Sequence, residues 1–354
     1  MEALEAAHPR SHPRSGRTDG GPEKGPGPDR LPAIPVIEVG TGGPVAVFEA
    51  ERARAKDLLA SGKRCYGHAL VRFGDALSRR WLIRTRNPYL EEIAAVAAHP
   101  ETAGVYFLNL SLEWSCTAGV GADPEAPGSR MLRTLDWPLE GLGRNLVVVR
   151  QEGPAGPYLN VTWPGFVGVT TAVAPGRFAA AFNQAPMRRL GLSFTLDVLF
   201  NRLGVWRSRA LPPAHLMRQV FDQCRTYAEA KARLAETPLC LPALFTLSGV
   251  EGHEGCVIER LERRAVLHQA PACITNHWLS PDLKGADRGT NSRERHACMT
   301  RLYRTVAGGF DWLVPPILND LTRLAVVANA ADGRLMVQGF EADGPATEIL
   351  ELTA

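Results

Sequence analysis

Six short apolar runs between residues 117 and 183 constrain the fold of this chain more than any other feature. They cover 117–122, 131–137, 145–151, 158–163, 166–173 and 177–183, and Gly/Pro turns join most of them. Runs this short and this closely spaced leave no room for crossover helices, so they predict antiparallel sheet. Helices are predicted on either side. One runs from about Phe48 to Leu59, and another follows Asn87-Pro88, with Leu90, Ile93, Ala94 and Ala97 at helical spacing. Two more are expected at 212–224 and 226–236, the second opened by a capping box of Thr226 and Glu229. Strands resume at 243–250, 254–261, 264–269 and 271–275, before a helix near 311–321 and a hairpin across Asp332-Gly333. Gly40, Gly42 and Gly43 precede a β-like run, which makes them a turn and not a phosphate loop. The order of elements predicts an α+β fold with stacked sheets.

At 354 residues the chain can bury one large core or two smaller ones. Residues 1–30 are rich in Pro, Gly, Arg and Ser and nearly free of large apolar side chains, so a disordered tail is expected there. A formal net charge of +3, with basic residues scattered among acids, argues against a nucleic-acid partner. The seven cysteines are odd in number and contain no C-x-x-C pair, which points to reduced thiols, not to a disulfide framework or a zinc knuckle. The acidic, apolar-poor N-terminus and the absence of any membrane-length apolar window make a cytoplasmic location the expectation.

One cysteine stands in an informative place. In "LNLSLEWSCTAGVGAD", Leu108, Leu110, Leu112 and Trp114 alternate with polar residues, which predicts a strand that delivers Cys116 to its end. A "DPEAPGSR" turn then leads into "MLRTLDWP", and the resulting hairpin is expected to bring Arg133 and Asp136 back alongside the thiol. An adjacent cation favours thiolate. From the residues alone, a buried structural cysteine beside an ordinary ion pair is an equally admissible outcome. A Cys–His site using His253 or His277 is the competing arrangement, and His253 with Cys256 supplies too few ligands for a closed zinc site.

Cys116-Thr117, the Arg133-Thr134-Leu135-Asp136 segment, the preceding "NPYLEEIAAVAAHPETAGVYFLNLSLEWSC" and the downstream "ITNHW" together resemble the acid ceramidase and N-acylethanolamine acid amidase group. That group stands with penicillin V acylase, choloylglycine hydrolase and isopenicillin N acyltransferase among the cysteine N-terminal-nucleophile (Ntn) hydrolases. The similarity covers roughly residues 80–300. It implies an αββα four-layer sandwich and hydrolysis of an N-acyl amine by a cysteine that becomes the first residue of a mature chain after autoproteolysis between Ser115 and Cys116. Residues 31–115 would then be a leading segment, retained as a packed subunit, and 116–354 the catalytic domain.

The same resemblance implies roles. The α-amine freed at Cys116, with a pKa of roughly 7.7–8.0, would take and return the thiol proton, so no histidine is needed. Asp136 would stabilise its ammonium form and Arg133 the thiolate. The side-chain amide of Asn276 would face the oxyanion. Either Arg293 or Arg295 in "NSRERHA" corresponds to a late supporting arginine, and Asn183 lies where relatives carry a polar pocket residue. No cofactor or metal is implied. Trp114, Trp137, Phe166 and Trp278 are the expected lining of an apolar acyl pocket. Transfer of the acyl group to an amine, or a catalytically silent protein that binds an acyl ligand, are the alternatives. Two departures stand out: Ala118 where relatives commonly carry serine, and Ser115 at the residue ahead of the nucleophile. The lysosomal relatives' signal peptides and disulfides have no counterpart in these motifs.

Overall fold

The computed structural model describes residues 31–100, 102–110, 114–191, 193–304 and 308–353. The tail expected over residues 1–30 lies outside them. The chain opens with β1 (Val36–Gly40) and four helices, α1 (Gly43–Ala50), α2 (Arg52–Tyr66), α3 (His68–Thr85) and α4 (Leu90–Ala97), followed by α5 (Val105–Leu110). Six strands follow: β2 (Ser115–Ala122), β3 (Ser129–Asp136), β4 (Val147–Gly153), β5 (Gly156–Thr162), β6 (Thr171–Ala174) and β7 (Phe178–Gln184). Helices α6 (Phe194–Arg207), α7 (Pro213–Gln223) and α8 (Tyr227–Glu236) lead to β8 (Ala243–Gly249), β9 (Gly255–Arg260), β10 (Ala265–Gln269) and β11 (Ala272–Ile274). The chain closes with α9 (Ser292–Leu302), β12 (Thr322–Asn329), β13 (Arg334–Glu341) and two short strands, β14 (Gly344–Pro345) and β15 (Leu350–Thr353).

The strands form two sheets. One has the order β1-β4-β5-β6-β7-β8-β9-β10, and the other β11-β2-β3-β12-β13-β14, with β15 also on β13. Every pairing is antiparallel except β1 with β4. Helix α7 buries Leu216, Met217, Val220 and Phe221 on the first sheet, where Phe221 meets Phe178 and Tyr158. Each such side chain contributes about 1.5–3 kcal/mol by leaving water. Helix α9 covers the second sheet through Cys298 and Met299, which pack with Leu132, Ala325 and Val327. With the two sheets face to face between these helices, the expected αββα sandwich is borne out.

Alternation along β2 decides what each layer receives. Cys116, Ala118 and Val120 enter the inter-sheet layer, where Ala118 and Val120 pack with Leu244 and Val257. Thr117, Gly119 and Gly121 face α9. A Cβ at Gly119 would lie 2.9 Å from the Tyr303 ring and one at Gly121 2.6 Å from its hydroxyl, so two glycines let the end of that helix rest against the strand.

The leading helices gather their own core, with Phe48, Leu59, Trp81, Ile93 and Val105 packed on Val167 and Cys240 of the sandwich. The expectations fail at several points here. The predicted strand through Leu108 and Leu110 is instead α5, whose buried Val105, Tyr106 and Asn109 have helical spacing; two leucines two apart fit either element. Residues 111–113 of that prediction lie outside the described residues. The Gly40–Gly43 turn opens a helix directly, because Pro44 is pre-set for its first turn. The single helix expected over 48–59 is two, parted at Glu51. Asn87 does not cap α4 but turns the chain ahead of it, its Oδ1 accepting the Tyr89 N–H at 3.0 Å. No helix forms at 311–321, where Pro315 and Pro316 interrupt the backbone donors. The capping box is present, with the Glu229 N–H bound to Thr226 Oγ1 and its carboxylate to the Arg225 N–H.

Candidate active site

Strands β2 and β3 pair with Ser115 opposite Asp136, Cys116 opposite Leu135 and Ala118 opposite Arg133. The diagonal brings an Arg133 terminal nitrogen within 3.2 Å of Cys116 Sγ, and both side chains are fully buried. The other guanidinium nitrogen donates to the carbonyls of Thr170 at 2.7 Å and Phe182 at 3.0 Å, so the cation is anchored to the opposite sheet. Asp136 does not join the thiol as expected. Three residues from Arg133 on a strand, it points to the other face, toward α9. There it accepts from Thr322 Oγ1 at 3.0 Å and lies 3.6 Å from Arg295.

The remaining atoms of Cys116 are held from the segment after β11 and from α9. Its backbone N–H donates to Asn276 Oδ1 at 2.7 Å, and its carbonyl accepts from Arg295 at 2.6 Å. The same Arg295 nitrogen reaches Thr117 Oγ1 at 2.9 Å, and its second terminal nitrogen donates to Asn276 Oδ1 at 3.2 Å. Asn276 therefore faces Cys116 with its oxygen, while its amide nitrogen, expected to face an oxyanion, donates to the Gln184 carbonyl at 2.8 Å. Of the two candidate arginines, Arg295 is in the site. Arg293 points to solvent and pairs with Asp287 at 2.9 Å, because two residues along a helix turn its side chain well away from that of Arg295. Asn183 is fully buried on β7 and donates to the carbonyls of Ile274 and Thr275.

Burial dominates the electrostatics. It pushes the Cys116 thiol up to about 11; Arg133 and Arg295 oppose the rise, and the charge of Asp136 adds to it. Burial likewise raises the Asp136 carboxyl, with Arg295 and Thr322 pulling it back, and lowers both arginines. Among the described residues no histidine is bonded to the thiol: the His277 ring is turned to Thr275 and Ser292, and His253 is exposed on the β8–β9 turn. No disulfide joins any of the cysteines among the described residues. Among the described residues, no group of three or more His, Cys, Asp or Glu could hold a metal ion, and no helix is long and apolar enough to cross a membrane.

An apolar cavity lies beside Trp114, two residues ahead of the thiol. Trp137, Trp163 and Phe166 line it from the sandwich, and Leu58 and Leu108 from the leading helices. Trp278, expected with them, packs instead on the cluster of Ala118, Leu244 and Ile274. Sequence reasoning missed Thr117, Thr322 and Trp163. Strand alternation placed Thr117 on the carboxylate's face and could have found it.

No protein-family model matches the chain. Acid ceramidase of Bos taurus is 30% identical over 187 residues, which cover 49% of this chain and 45% of that protein. Acid ceramidase of Mus musculus is 33% identical over 181 residues, covering 48% and 44%. This chain thus spans about half the length of the curated relatives it matches. Among solved structures, a Caenorhabditis elegans N-acylethanolamine-hydrolyzing acid amidase ortholog superposes with a TM-score of 0.48 at 19% identity, over 66% of this chain and 99% of that one. The resemblance carried by the motifs is borne out in the sequence matches: this chain is similar to acid ceramidases over about half of its length.

Proposed function

We propose that this protein hydrolyses the amide bond of an N-acyl amine with Cys116 as nucleophile, and that scission of its own Ser115–Cys116 bond frees that nucleophile. The observation that carries the reading is a grip on three atoms of one cysteine: Arg133 on the sulfur, Asn276 on the nitrogen and Arg295 on the carbonyl oxygen. A cysteine that only fills a core needs no cation at its sulfur, and its backbone N–H and carbonyl, which any buried residue must pair, here meet the side chains of Asn276 and Arg295. Kinship with acid ceramidases supports the bond class, since the ceramide in their name is an N-acyl amine.

In the scission the Cys116 sulfur attacks the Ser115 carbonyl carbon, and the thiol proton passes to the Cys116 nitrogen as its bond to that carbon breaks. Water then splits the thioester, leaving a carboxylate on Ser115 and a free thiol and amine on Cys116. Asn276 Oδ1 already holds the nitrogen that becomes the amine. An α-amine with a pKa of roughly 7.7–8.0 can accept the thiol proton near neutrality and deliver it to a leaving amine. Arg133 favours the thiolate in a layer that otherwise disfavours charge. Asp136, through Arg295, steadies the Cys116 carbonyl and lies across the ladder from the scissile residue. The cavity at Trp114, Trp137 and Phe166 suits an apolar acyl chain, with the leading segment retained as one of its walls.

Intact mass and N-terminal sequencing of purified protein test the reading, together with hydrolysis of a panel of N-acyl amines. A second chain starting at Cys116 and amide turnover, both absent in C116A, are expected. A wild-type protein that stays whole and leaves every amide intact overturns it. Adding a competing amine and measuring how product divides separates hydrolysis from acyl transfer.

A further inference from the structure

Asn276 lies in a stretch, Thr275 to His277, whose two flanking side chains both turn away from Cys116 to the start of α9. The Asn276 backbone N–H donates to Ser292 Oγ at 3.0 Å. Ser292 Oγ also lies 3.0 Å from His277 Nδ1 and 2.9 Å from Thr275 Oγ1, and the Thr275 hydroxyl donates to the Ser292 carbonyl at 2.9 Å. All three side chains are buried. One turn further along α9 stands Arg295, which meets Asn276 Oδ1 and the Cys116 carbonyl. The Ser292 hydroxyl therefore joins the two elements that grip Cys116.

We propose that His277 and Ser292 form a positioning pair that sets Asn276 and Arg295 in register on Cys116. The hydroxyl of Ser292 is already an acceptor for Asn276, so its remaining bonds decide its orientation. Thr275 spends its proton on the Ser292 carbonyl, and both its Oγ1 and Ser292 Oγ lie 3.0 Å from His277 Nδ1, so the ring nitrogen bridges the two hydroxyls. The ring can do so as donor or acceptor, according to its tautomer. Burial, with His296 stacked edge-on at 5.1 Å and Arg293 near, holds the His277 pKa down at about 4, so the ring is neutral at physiological pH. A positioning contact of this kind acts on rate, because small misplacements of reacting groups weigh heavily on the transition state.

This inference rests on the amidase reading, and the experiment keeps the two apart. His277→Leu removes the ring nitrogen, whereas His277→Asn places an amide oxygen or nitrogen where Nδ1 stood. In H277L the rate of Ser115–Cys116 scission and the kcat for an amide are expected to fall about tenfold, with KM changing less than twofold; H277N returns both to within about threefold of wild type. S292A is expected to match H277L, and the double variant to be no worse than either, since they break one chain of bonds. Equal losses in H277L and H277N, full activity in H277L, or additive losses in the double variant overturn the proposal. A wild type that neither splits nor turns over defeats the amidase reading alone. Positioning is then read from hydrogen exchange of the Asn276 side-chain amide by NMR, which accelerates in H277L and not in H277N; no difference between the two sinks it.

Discussion

The Cys116 thiol and the Arg133 guanidinium lie 3.2 Å apart on one face of neighbouring strands, in a layer closed to water. Burial holds the thiol neutral and the guanidinium works against it, so the cation sets how much thiolate exists near neutral pH. Arg133→Leu should raise the thiol pKa further, slow scission at least tenfold near neutrality, and move its pH profile to the alkaline side. The variant also leaves the Thr170 and Phe182 carbonyls short of a donor, at a cost of about 1–3 kcal/mol each. Arg133→Lys keeps the charge and loses the fork, so its profile should fall between the two. Scission followed by mass spectrometry across pH checks all three.

Arg293 and Arg295 should separate cleanly. Arg295→Leu strips the Cys116 carbonyl, Thr117 and Asn276 of a donor and leaves Asp136 without its buried counter-charge. A loss of at least a hundredfold in amide turnover and a clear drop in melting temperature are expected. Arg293→Ala removes an outward-facing pair with Asp287 and one of the lesser charges acting on His277, whose burial still keeps it neutral, and should stay within about twofold of wild type in both measurements.

Acidification should unfold the protein through His215. Its ring is fully buried and its pKa is lowered to about 3, by burial first and Arg218 second. Asn87 fixes the tautomer: its oxygen is taken by the Tyr89 N–H, so its nitrogen donates and His215 Nδ1 accepts at 3.0 Å. The folded pKa lies below the unfolded one, so the unfolded state binds more protons between about pH 6.5 and 3, and stability falls as pH falls through that window. The loss reaches about 3 kcal/mol at pH 4. His215→Asn keeps an acceptor for Asn87 and cannot titrate. Urea unfolding at pH 7 and pH 4 should show a smaller acid loss in the variant.

Retention of the leading segment after scission should depend on Glu92 and Arg218. Helix α4 presents Glu92 to both terminal nitrogens of Arg218 on α7, at 2.5 and 3.0 Å, and Arg218 also donates to the Val167 carbonyl at 3.1 Å. Glu92→Ala breaks a two-pronged pair and leaves the largely buried cation with weaker compensation. Dissociation of the two pieces in dilute urea, followed by gel filtration, should become roughly tenfold easier. An unchanged elution profile would count against a clamp at this point.

The sheets were legible because Gly/Pro turns cut the chain between 117 and 183 into strand-length pieces, and β2 with β3 met as expected. The site was legible only in part. Arg133 and Asp136 are an odd number of residues apart, so one strand had to send them to opposite faces. That consequence of alternation was available in the sequence and went unused. Helix α9 gave no such warning. Its buried face is Ser292, Arg295, Cys298 and Met299, whose first two members are polar, so hydrophobic spacing is blind to it. Without that helix, nothing distinguished Arg295 from Arg293. Helix α6, by contrast, was legible: Leu196, Leu199, Phe200 and Leu203 have the i, i+3, i+4, i+7 spacing of a helix face, although the fold leaves them exposed.

The bare stretch at Gly119 and Gly121 reaches further than its own neighbourhood. Tyr303 rests there just past one end of α9, while Arg295 extends from the first turn at the other end, so the bare strip of backbone sets how closely the helix lies on β2. A methyl at Gly121 would meet the Tyr303 hydroxyl at 2.6 Å and force that ring off the strand. Two missing side chains on β2 thus make room for the helix that carries Arg295 to the Cys116 carbonyl.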